Sequence, residues 1–450
     1  MTEYWAHCQP LDVPLDTLVN HCSPTESCQS AHMSKPELIT LGCRLNSNES
    51  QAMLEHAQSA GLTDTVIINT CAVTNEAVRR AEQTIRRTKR EKPNSRIVVT
   101  GCAAQIDPDR FAKMAMVDHV IGNDEKTKRK TFHDLAAHDS ERVRVNDIMS
   151  VTENAPHLIS GFGNRARAYV QVQNGCDHRC TFCIIPFGRG QSRSVPAGEV
   201  VRQIRKLVEN GYKEVVLTGV DMTSYGPDLP GDMSLGRLVR HILAHVPDLE
   251  RLRLSSIDQV EVDEPLMHAI STEQRLMPHL HLSMQSGNNM ILKRMKRRHT
   301  REEAITFCKQ VKKSRPDIVF GADLIAGFPT ESQHMFEDTC NLIEECDLTY
   351  LHIFPFSPRN GTPAARMPQI DRTTIKQRAA LLRDIGTKRL SDHFNRQIGQ
   401  RIEIAVEKNT TGHARDFTPV TLDREFTPGA LVHATVTHHD GQKLFAEVRS

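Results

Sequence analysis

The sequence predicts an α/β protein with three parts: an N-terminal open parallel sheet, a central partial (β/α)6 barrel and a small C-terminal all-β barrel. Two observations lead to this fold class. From Glu37 to about residue 356, short β-branched segments alternate with helical segments, as in parallel sheets covered by helices. After about residue 395 the pattern changes to short alternating strands, which are typical of small barrels. The length, 450 residues, suits about three domains.

The composition is that of a soluble protein, with 38% hydrophobic and 25% charged residues and a net charge of +2. No apolar stretch approaches the roughly 20 residues of a membrane span. The first 32 residues lack the basic start and apolar core of a secretory signal. Twelve cysteines without such a signal fit reduced thiols and metal ligation better than disulfides. We therefore expect a cytoplasmic protein with no membrane contact.

Residues 1–33 are expected to form a leader that is disordered or lies upstream of the true start, with Met33 as the candidate start. Their cysteines, Cys8, Cys22 and Cys28, stand at no recognisable ligand spacing. We expect these three thiols to bind no metal.

In the first part, each of three predicted strands ends directly before a cysteine. The strands are Glu37–Gly42, Thr65–Thr70 and Arg96–Gly101, and the cysteines are Cys43, Cys71 and Cys102. The carboxyl ends of parallel strands share one rim, where ligands bind, so the three thiols are predicted to converge. Core packing explains three strand-end cysteines poorly, and we interpret them as ligands of an iron–sulfur cluster. The alternative is one nucleophilic cysteine with two bystanders.

The strongest motif is a C-x₃-C-x₂-C octet that contains Cys176, Cys180 and Cys183. Three thiolates on so short a loop can hold three corners of a cubane iron–sulfur cluster. No fourth cysteine is near in sequence, so one iron keeps an open position, where S-adenosylmethionine binds and is cleaved to a radical. The alternative is a structural zinc site, which needs four ligands and for which His178 is the only additional candidate.

Six strands follow the pattern of a partial barrel whose chemistry lies at their carboxyl ends. They are predicted at Arg167–Gln173, Glu214–Thr218, Arg251–Ser255, His279–Gln285, Ile318–Ala326 and Tyr350–Phe356. The cluster loop directly follows the first of these strands. We assign Phe182 and Gln285 to the binding of the cofactor. The polar residues at the other strand ends either line the same pocket or merely cap helices.

The C-terminal part begins with a predicted basic helix, Asp371–Asn395, followed by short strands with a hairpin turn at Asp440-Gly441. Small barrels of this kind are common in RNA-binding modules. The alternative is that this part only caps the central barrel.

The order of these parts resembles the radical-SAM methylthiotransferases. The motifs that carry the resemblance are Gly42–Asn46, Asn69–Cys71, Thr100–Ala103 and Cys176–Cys183. It implies a methylthiotransferase N-terminal domain over 34–145, a radical-SAM core over 160–392 and a TRAM-like domain over 395–450. It also implies two [4Fe–4S] clusters, an auxiliary cluster on Cys43, Cys71 and Cys102 and a radical cluster on Cys176, Cys180 and Cys183, together with S-adenosylmethionine.

Within this family, the segment Thr181–Gly190 and the pair Arg44-Leu45 are most similar to the bacterial enzymes that modify threonylcarbamoyladenosine in tRNA. In place of Arg44-Leu45, enzymes acting on isopentenyladenosine typically have Gln-Met, and those acting on a ribosomal protein typically have Pro-Lys. The resemblance implies methylthiolation of carbon 2 of N6-threonylcarbamoyladenosine 37, with two S-adenosylmethionine molecules.

The implied partners are the tRNA anticodon stem–loop, an electron donor such as flavodoxin or ferredoxin, and a sulfur source. Two alternatives stay open. The first is a methylthiotransferase for isopentenyladenosine 37 or for a ribosomal protein. The second, from another functional class, is a non-catalytic iron–sulfur RNA-binding regulator.

Overall fold

The computed structural model describes residues 34–152, 161 and 166–448. The expectations for the leader, residues 1–33, lie outside the described residues. The chain forms two compact units, the first ending at Ile148 and the second beginning at Met149. Among the residues described, no helix is both long and apolar enough to cross a bilayer.

The first unit is built on a parallel five-stranded sheet with the strand order β1-β2-β3-β4-β5. Every residue of β2 is buried, as expected for a strand covered on both faces. The strands are β1 Glu37–Thr40, β2 Thr65–Thr70, β3 Arg96–Gly101, β4 His119–Ile121 and β5 Val143–Arg144. The helices are α1 Arg44–Ser59, α2 Asn75–Glu91, α3 Cys102–Ile106, α4 Pro108–Ala112 and α5 Arg129–Ala136.

Two helices of this unit begin at a side chain that caps them. The hydroxyl of Thr74 accepts a hydrogen bond from the backbone N–H of Ala77 at the start of α2. Asp107 caps α4 in the same way, with proline at the first helical position. The predicted first strand is too long, because β1 ends at Thr40 and Gly42 adopts a φ of +105°, which turns the chain out of the sheet.

The second unit holds the six predicted parallel strands, which are β6, β9, β10, β12, β13 and β14. They belong to two sheets, β10-β9-β6 and β11-β12-β13-β14. The two sheets meet where the chain passes from β10 to β11. There the backbone of Leu252, in β10, forms hydrogen bonds with Arg275 and Met277, which lie just before β12. The strands are β6 Arg167–Gln171, β7 Gln173–Asn174, β8 Arg193–Ser194, β9 Glu214–Thr218, β10 Arg251–Leu254, β11 Ser256–Ile257, β12 His279–Gln285, β13 Val319–Ala326 and β14 Leu348–Pro355. The helices are α6 Ile185–Arg189, α7 Ala197–Glu209, α8 Leu235–His245, α9 Glu264–Thr272, α10 Asn289–Met295, α11 Arg301–Ser314, α12 Gln333–Glu345 and α13 Arg372–Gln397.

The C-terminal segment forms a closed five-stranded barrel with the order β15-β16-β17-β19-β18, which confirms the predicted small β-barrel. Its core packs on Leu390 and Phe394 of α13 and on Tyr350 of β14. The predicted hairpin turn lies between β18 and β19, where Gly441 has a φ of +85°. The strands are β15 Arg401–Lys408, β16 Thr411–Ala414, β17 Pro419–Leu422, β18 Leu431–His439 and β19 Leu444–Glu447.

A buried charged layer joins this small barrel to the amino-terminal ends of the central strands. Arg251, Arg253 and Glu214 are each at most 1% exposed. Arg253 donates to Glu214 at 3.1 Å and to the carbonyl oxygen of Arg415 at 2.9 Å. The end of the central barrel opposite the cluster loop is therefore closed by the C-terminal segment.

Candidate functional site

The sheet of the first unit brings three cysteines to one edge. β2 and β3 pair in parallel with Thr70 opposite Gly101, so Cys71 and Cys102 follow neighbouring strand ends. Cys43 follows β1, which pairs with the other side of β2. A Cβ atom on Gly42 would lie 3.2 Å from the Sγ atom of Cys71, which shows how closely the first turn approaches the second cysteine.

Polar side chains fix this edge from below. Asn46 at the start of α1 donates to the carbonyl oxygens of Leu41 at 2.7 Å and Thr70 at 3.1 Å, and thus ties the first turn to the end of β2. Lys126 forms an ion pair of 2.7 Å with Glu49, and both side chains are at most 1% exposed. The edge is therefore held by α1 and by a buried ion pair beneath it.

The donor set at this edge fits an iron–sulfur cluster. The three thiols form no disulfide and differ in exposure, since Cys43 is exposed, Cys71 is partly buried and Cys102 is buried. The Nδ2 atom of Asn123 lies 3.8 Å from the Sγ atom of Cys102 and supplies the kind of polar contact that tunes cluster thiolates. That these cysteines bind a cluster stays a prediction.

The second cysteine motif forms a loop after β7, at the carboxyl ends of the central strands. Gln173, fully buried, anchors it. Its amide donates to the carbonyl oxygen of Gly175 at 2.7 Å, and its side-chain oxygen accepts from the backbone N–H groups of Val220 at 3.0 Å and Asp221 at 2.8 Å. This single side chain therefore fixes the cluster loop against the loop after β9.

A largely buried arginine lies beside the second cysteine of the motif. The Nη1 atom of Arg297 lies 3.9 Å from the Sγ atom of Cys180. The same guanidinium donates to Asp258 at 2.6 Å and to the carbonyl oxygen of Ser283 at 2.7 Å. Burial opposes the charge on Arg297, but Asp258 and Cys180 outweigh it and raise its pKa. A fixed cation at this distance stabilises a thiolate.

The first cysteine of the motif has a different environment. Burial, and then the neighbouring Asp221 carboxylate, raise the pKa of the Cys176 thiol. Donor atoms of Cys176, His178 and Asp221 lie within 4.8 Å of one another. The His178 ring also lies 3.3 Å from Glu261. Of the three cysteines of the motif, only Cys176 belongs to this group of donor atoms. An iron–sulfur cluster at this loop would instead use Cys176, Cys180 and Cys183 together.

The two residues assigned to the cofactor occupy distinct places. Phe182, within the cluster loop, makes an edge-to-face contact with Phe328, with ring centroids 6.5 Å apart, and packs on the apolar cluster around Ile325. Gln285 ends β12 with a φ of +66°, beside a register shift in the sheet. A non-glycine residue held in this conformation is a common feature of ligand sites. Their contact with a cofactor stays a prediction.

Sequence reasoning missed the anchoring roles of Gln173, Arg297 and Asp258. The basic run Lys293–Arg298 is visible in the sequence, but nothing there indicates that one of its members faces Cys180. In the structure, this run lies against the cluster loop, because the backbone N–H of Thr181 bonds the carbonyl oxygen of Met295. Lys293 and Lys296 point outward and are exposed.

Two family models match the chain. Residues 170–343 match the Radical SAM superfamily, and residues 35–122 match the Uncharacterized protein family UPF0004. The first match covers the cluster loop and most of the central strands, and it favours the iron–sulfur cluster over zinc at this loop.

Curated relatives cover most of the chain. Threonylcarbamoyladenosine tRNA methylthiotransferase MtaB of Rickettsia prowazekii is 49% identical over 89% of this chain and 94% of its own length. The protein of the same name in Bacillus subtilis is 34% identical, over 82% and 84%. A tRNA-2-methylthio-N(6)-dimethylallyladenosine synthase of Ruegeria pomeroyi is 32% identical, over 84% and 89%.

Among solved structures, the radical S-adenosylmethionine methyltransferase TsrM of Kitasatospora setae aligns with a TM-score of 0.53. The alignment covers 72% of this chain and 77% of that one, at 14% sequence identity. At that identity the likeness concerns the fold alone, and it agrees with the α/β architecture described above.

Proposed function

The chain belongs to the radical-SAM tRNA methylthiotransferases, and we propose that it adds a methylthio group to carbon 2 of N6-threonylcarbamoyladenosine 37. The observation that carries the choice of nucleoside is the 49% identity to a threonylcarbamoyladenosine enzyme over nearly the whole chain. Identity to a dimethylallyladenosine synthase is 32%. Arg44 and Leu45, which follow Cys43, support the same choice of nucleoside.

The radical-SAM family implies one [4Fe–4S] cluster and S-adenosylmethionine. We propose that Cys176, Cys180 and Cys183 hold this cluster, with Gln173 fixing their loop and Arg297 offsetting the charge of the Cys180 thiolate. When bound, the cluster and its cofactor supply a radical that removes hydrogen from an otherwise inert C–H bond. Phe182 and Gln285 are proposed to contact the cofactor.

We further propose that Cys43, Cys71 and Cys102 hold a second [4Fe–4S] cluster. Their arrival at one edge of the first unit's sheet supports this assignment, because three thiols at neighbouring strand ends supply three ligands and leave one iron open. The open iron would take the sulfur that is transferred. One S-adenosylmethionine supplies the methyl group, and a second is consumed to form the radical.

The proposed nucleic-acid contact is the anticodon stem–loop, since residue 37 is stacked beside the anticodon and must be splayed out for reaction. Exposed Lys293 and Lys296, at the edge of the cluster loop, are suited to its phosphates. An electron donor such as flavodoxin or ferredoxin and a separate sulfur source complete the proposed set of partners.

The proposal is tested by mass spectrometry of tRNA nucleosides from a strain in which the gene is deleted. We expect the 2-methylthio derivative of threonylcarbamoyladenosine to disappear, with unmodified threonylcarbamoyladenosine accumulating and 2-methylthio-isopentenyladenosine unchanged. The wild-type gene should restore the product, and Cys176→Ala should not. Loss of the isopentenyl derivative instead would assign the other nucleoside. Unchanged tRNA, with no 5′-deoxyadenosine formed by the purified protein, would support the non-catalytic regulator.

A further inference from the structure

A group of two histidines and one carboxylate lies in the second unit and contains none of the six proposed cluster cysteines. It consists of His281 on β12, Asp323 on β13 and His352 on β14, three neighbouring strands of one sheet. Asp323 stands opposite His352 in the register, and His281 stands opposite Gly321, two residues before Asp323. Because side chains two residues apart share a face of a strand, Gly321 and Asp323 point to the same side.

The donor atoms of the three side chains converge. The Nε2 atom of His281 lies 2.8 Å from Oδ1 of Asp323, and the Nδ1 atom of His352 lies 3.3 Å from that same oxygen. The three donors all lie within 4.8 Å of one another. A metal bound at about 2.1 Å by nitrogen and oxygen ligands separates adjacent donors by about 3 to 3.5 Å, so the group needs little movement to enclose an ion.

The sheet makes room for this arrangement at Gly321. A Cβ atom there would lie 2.6 Å from the Nδ1 atom of His281, closer than real side chains come. The absence of a side chain at this position thus leaves space for the imidazole.

The cluster faces the inside of the barrel. Helix α13 packs on the opposite face of β14, where a Cβ atom on Gly386 would lie 3.2 Å from the Leu351 side chain. Below the cluster, Phe417 of the C-terminal barrel stacks on His279 at a centroid distance of 5.3 Å. Asp323 is three residues before the end of β13, and therefore about 10 Å below the rim.

The three groups are only partly shielded. The side chains of His281, Asp323 and His352 are 9%, 20% and 35% exposed, so one side of the cluster opens into the barrel interior. Interiors of such barrels are usually filled by branched apolar side chains. Three converging polar groups at this depth therefore indicate a ligand site rather than the usual apolar packing.

We propose that His281, Asp323 and His352 bind a divalent first-row transition metal ion inside the barrel. Two imidazoles and one carboxylate on one side of an ion are a facial set suited to Fe(II), Mn(II) or Zn(II), and the positions they leave free face the open interior. The proposed tRNA chemistry assigns no role to these residues, and this site stands on its own geometry.

Binding is tested with Mn(II) on the anaerobically reconstituted holoenzyme, by the loss of the free-ion EPR signal. We expect about one Mn(II) per chain in addition to the clusters, and displacement by Zn(II). His281→Gln, Asp323→Asn and His352→Gln should each weaken binding by at least about 10- to 100-fold, the loss that follows removal of even an outer-shell partner of a ligand. The matched control is His433→Gln, a histidine whose side chain is 55% exposed on the C-terminal barrel, which should bind as the wild type does.

A second measurement needs no variant and so does not depend on the folding of one. Electron spin-echo modulation of the bound Mn(II) should show coupling to imidazole nitrogen. Absence of a bound ion, absence of nitrogen coupling, or equal binding by all three variants and the control would overturn the proposal and leave a hydrogen-bonded cluster. None of these results depends on methylthiolation, so they are separable from the failure of the proposed function.

Discussion

Replacing Gly42 by alanine perturbs the proposed auxiliary site through one methyl group. Gly42 has a φ of +105°, and its new Cβ would lie 2.8 Å from the Cβ atom and 3.2 Å from the Sγ atom of Cys71. Carbon atoms pack at about 3.5 to 4.0 Å, so the turn and Cys71 must separate by about 1 Å. The thiol of Cys71 is thereby moved relative to its two neighbours.

Two changes contribute to the expected loss of activity in Gly42→Ala, namely strain in the backbone and displacement of the Cys71 thiol. An unfavourable backbone conformation costs on the order of 1–3 kcal/mol. Gly61 provides the matched control, because its φ is +69° and nothing lies within 4 Å of its added Cβ. Gly61→Ala therefore carries backbone strain without the contact at the cysteine. A displacement of about 1 Å at a reacting group can lower activity by about 100-fold, and we expect Gly42→Ala to lose methylthiolation by that order.

The assay measures iron, 5′-deoxyadenosine and the methylthiolated nucleoside in parallel on both reconstituted variants. Gly42→Ala should lose product while still cleaving S-adenosylmethionine, because Gly42 belongs to the first unit and the radical cysteines to the second. Gly61→Ala should keep both activities. If Gly42→Ala made as much product as Gly61→Ala, the close approach of this turn to Cys71 would have no functional meaning.

Three further outcomes are expected. The triple variant Cys176→Ala/Cys180→Ala/Cys183→Ala should lose about four of eight irons, cleavage of S-adenosylmethionine and methylthiolation. The variant Cys43→Ala/Cys71→Ala/Cys102→Ala should keep cleavage of S-adenosylmethionine. Unchanged iron in the Cys176/Cys180/Cys183 variant would contradict the assignment of the radical cluster to these residues. Arg297→Met should destabilise the cluster-free protein by about 3–5 kcal/mol in urea unfolding, because buried Asp258 loses its guanidinium partner and keeps only His299, 3.8 Å away and with a lowered pKa. Asp258→Asn/Arg297→Met should recover most of that loss. For Glu214, burial alone would raise the pKa, but Arg253 and the neighbouring arginines lower it from 4.5 to about 2. This carboxylate therefore stabilises the fold above about pH 4.5, and the effect fades as the pH falls towards 2. Glu214→Gln should cost about 3 kcal/mol at pH 7, and the difference from wild type, followed by circular dichroism, should shrink in acid.

The cysteine sites were the parts most open to prediction. Each thiol of the first set directly follows a recognisable strand, and parallel pairing alone brings such positions to one edge. The cysteines of the second set lie within one short segment, so their proximity can be predicted without knowledge of the fold. Local patterns sufficed to propose both sets. In the structure the first set follows β1, β2 and β3 and the second follows β7, and the ligand roles of these cysteines stay predictions.

The His281–Asp323–His352 cluster could not be predicted in the same way. Its members lie on three strands separated by long helical connections, and their meeting depends on a register that pairs Asp323 with His352. A shift of one residue would send one of these side chains to the opposite face. The apolar residues that alternate with them predict the strands, but they do not specify the alignment.

The small C-terminal barrel shows why the two alternatives posed for it from sequence are compatible. Its Phe417 closes the floor of the central barrel, and Glu403 pairs with buried Arg251 at 2.7 Å, so it does cap the larger domain. Capping uses β15 and the segment around Phe417, while His433 on β18 remains exposed. The C-terminal barrel contacts the central barrel on one side only, which leaves its other side available. Deleting the whole segment would remove the stabilising contacts as well, so a loss of RNA binding in that variant could result from instability. Point changes at exposed positions of β18 such as His433, which leave Phe417 and Glu403 in place, are the variants that separate the two roles.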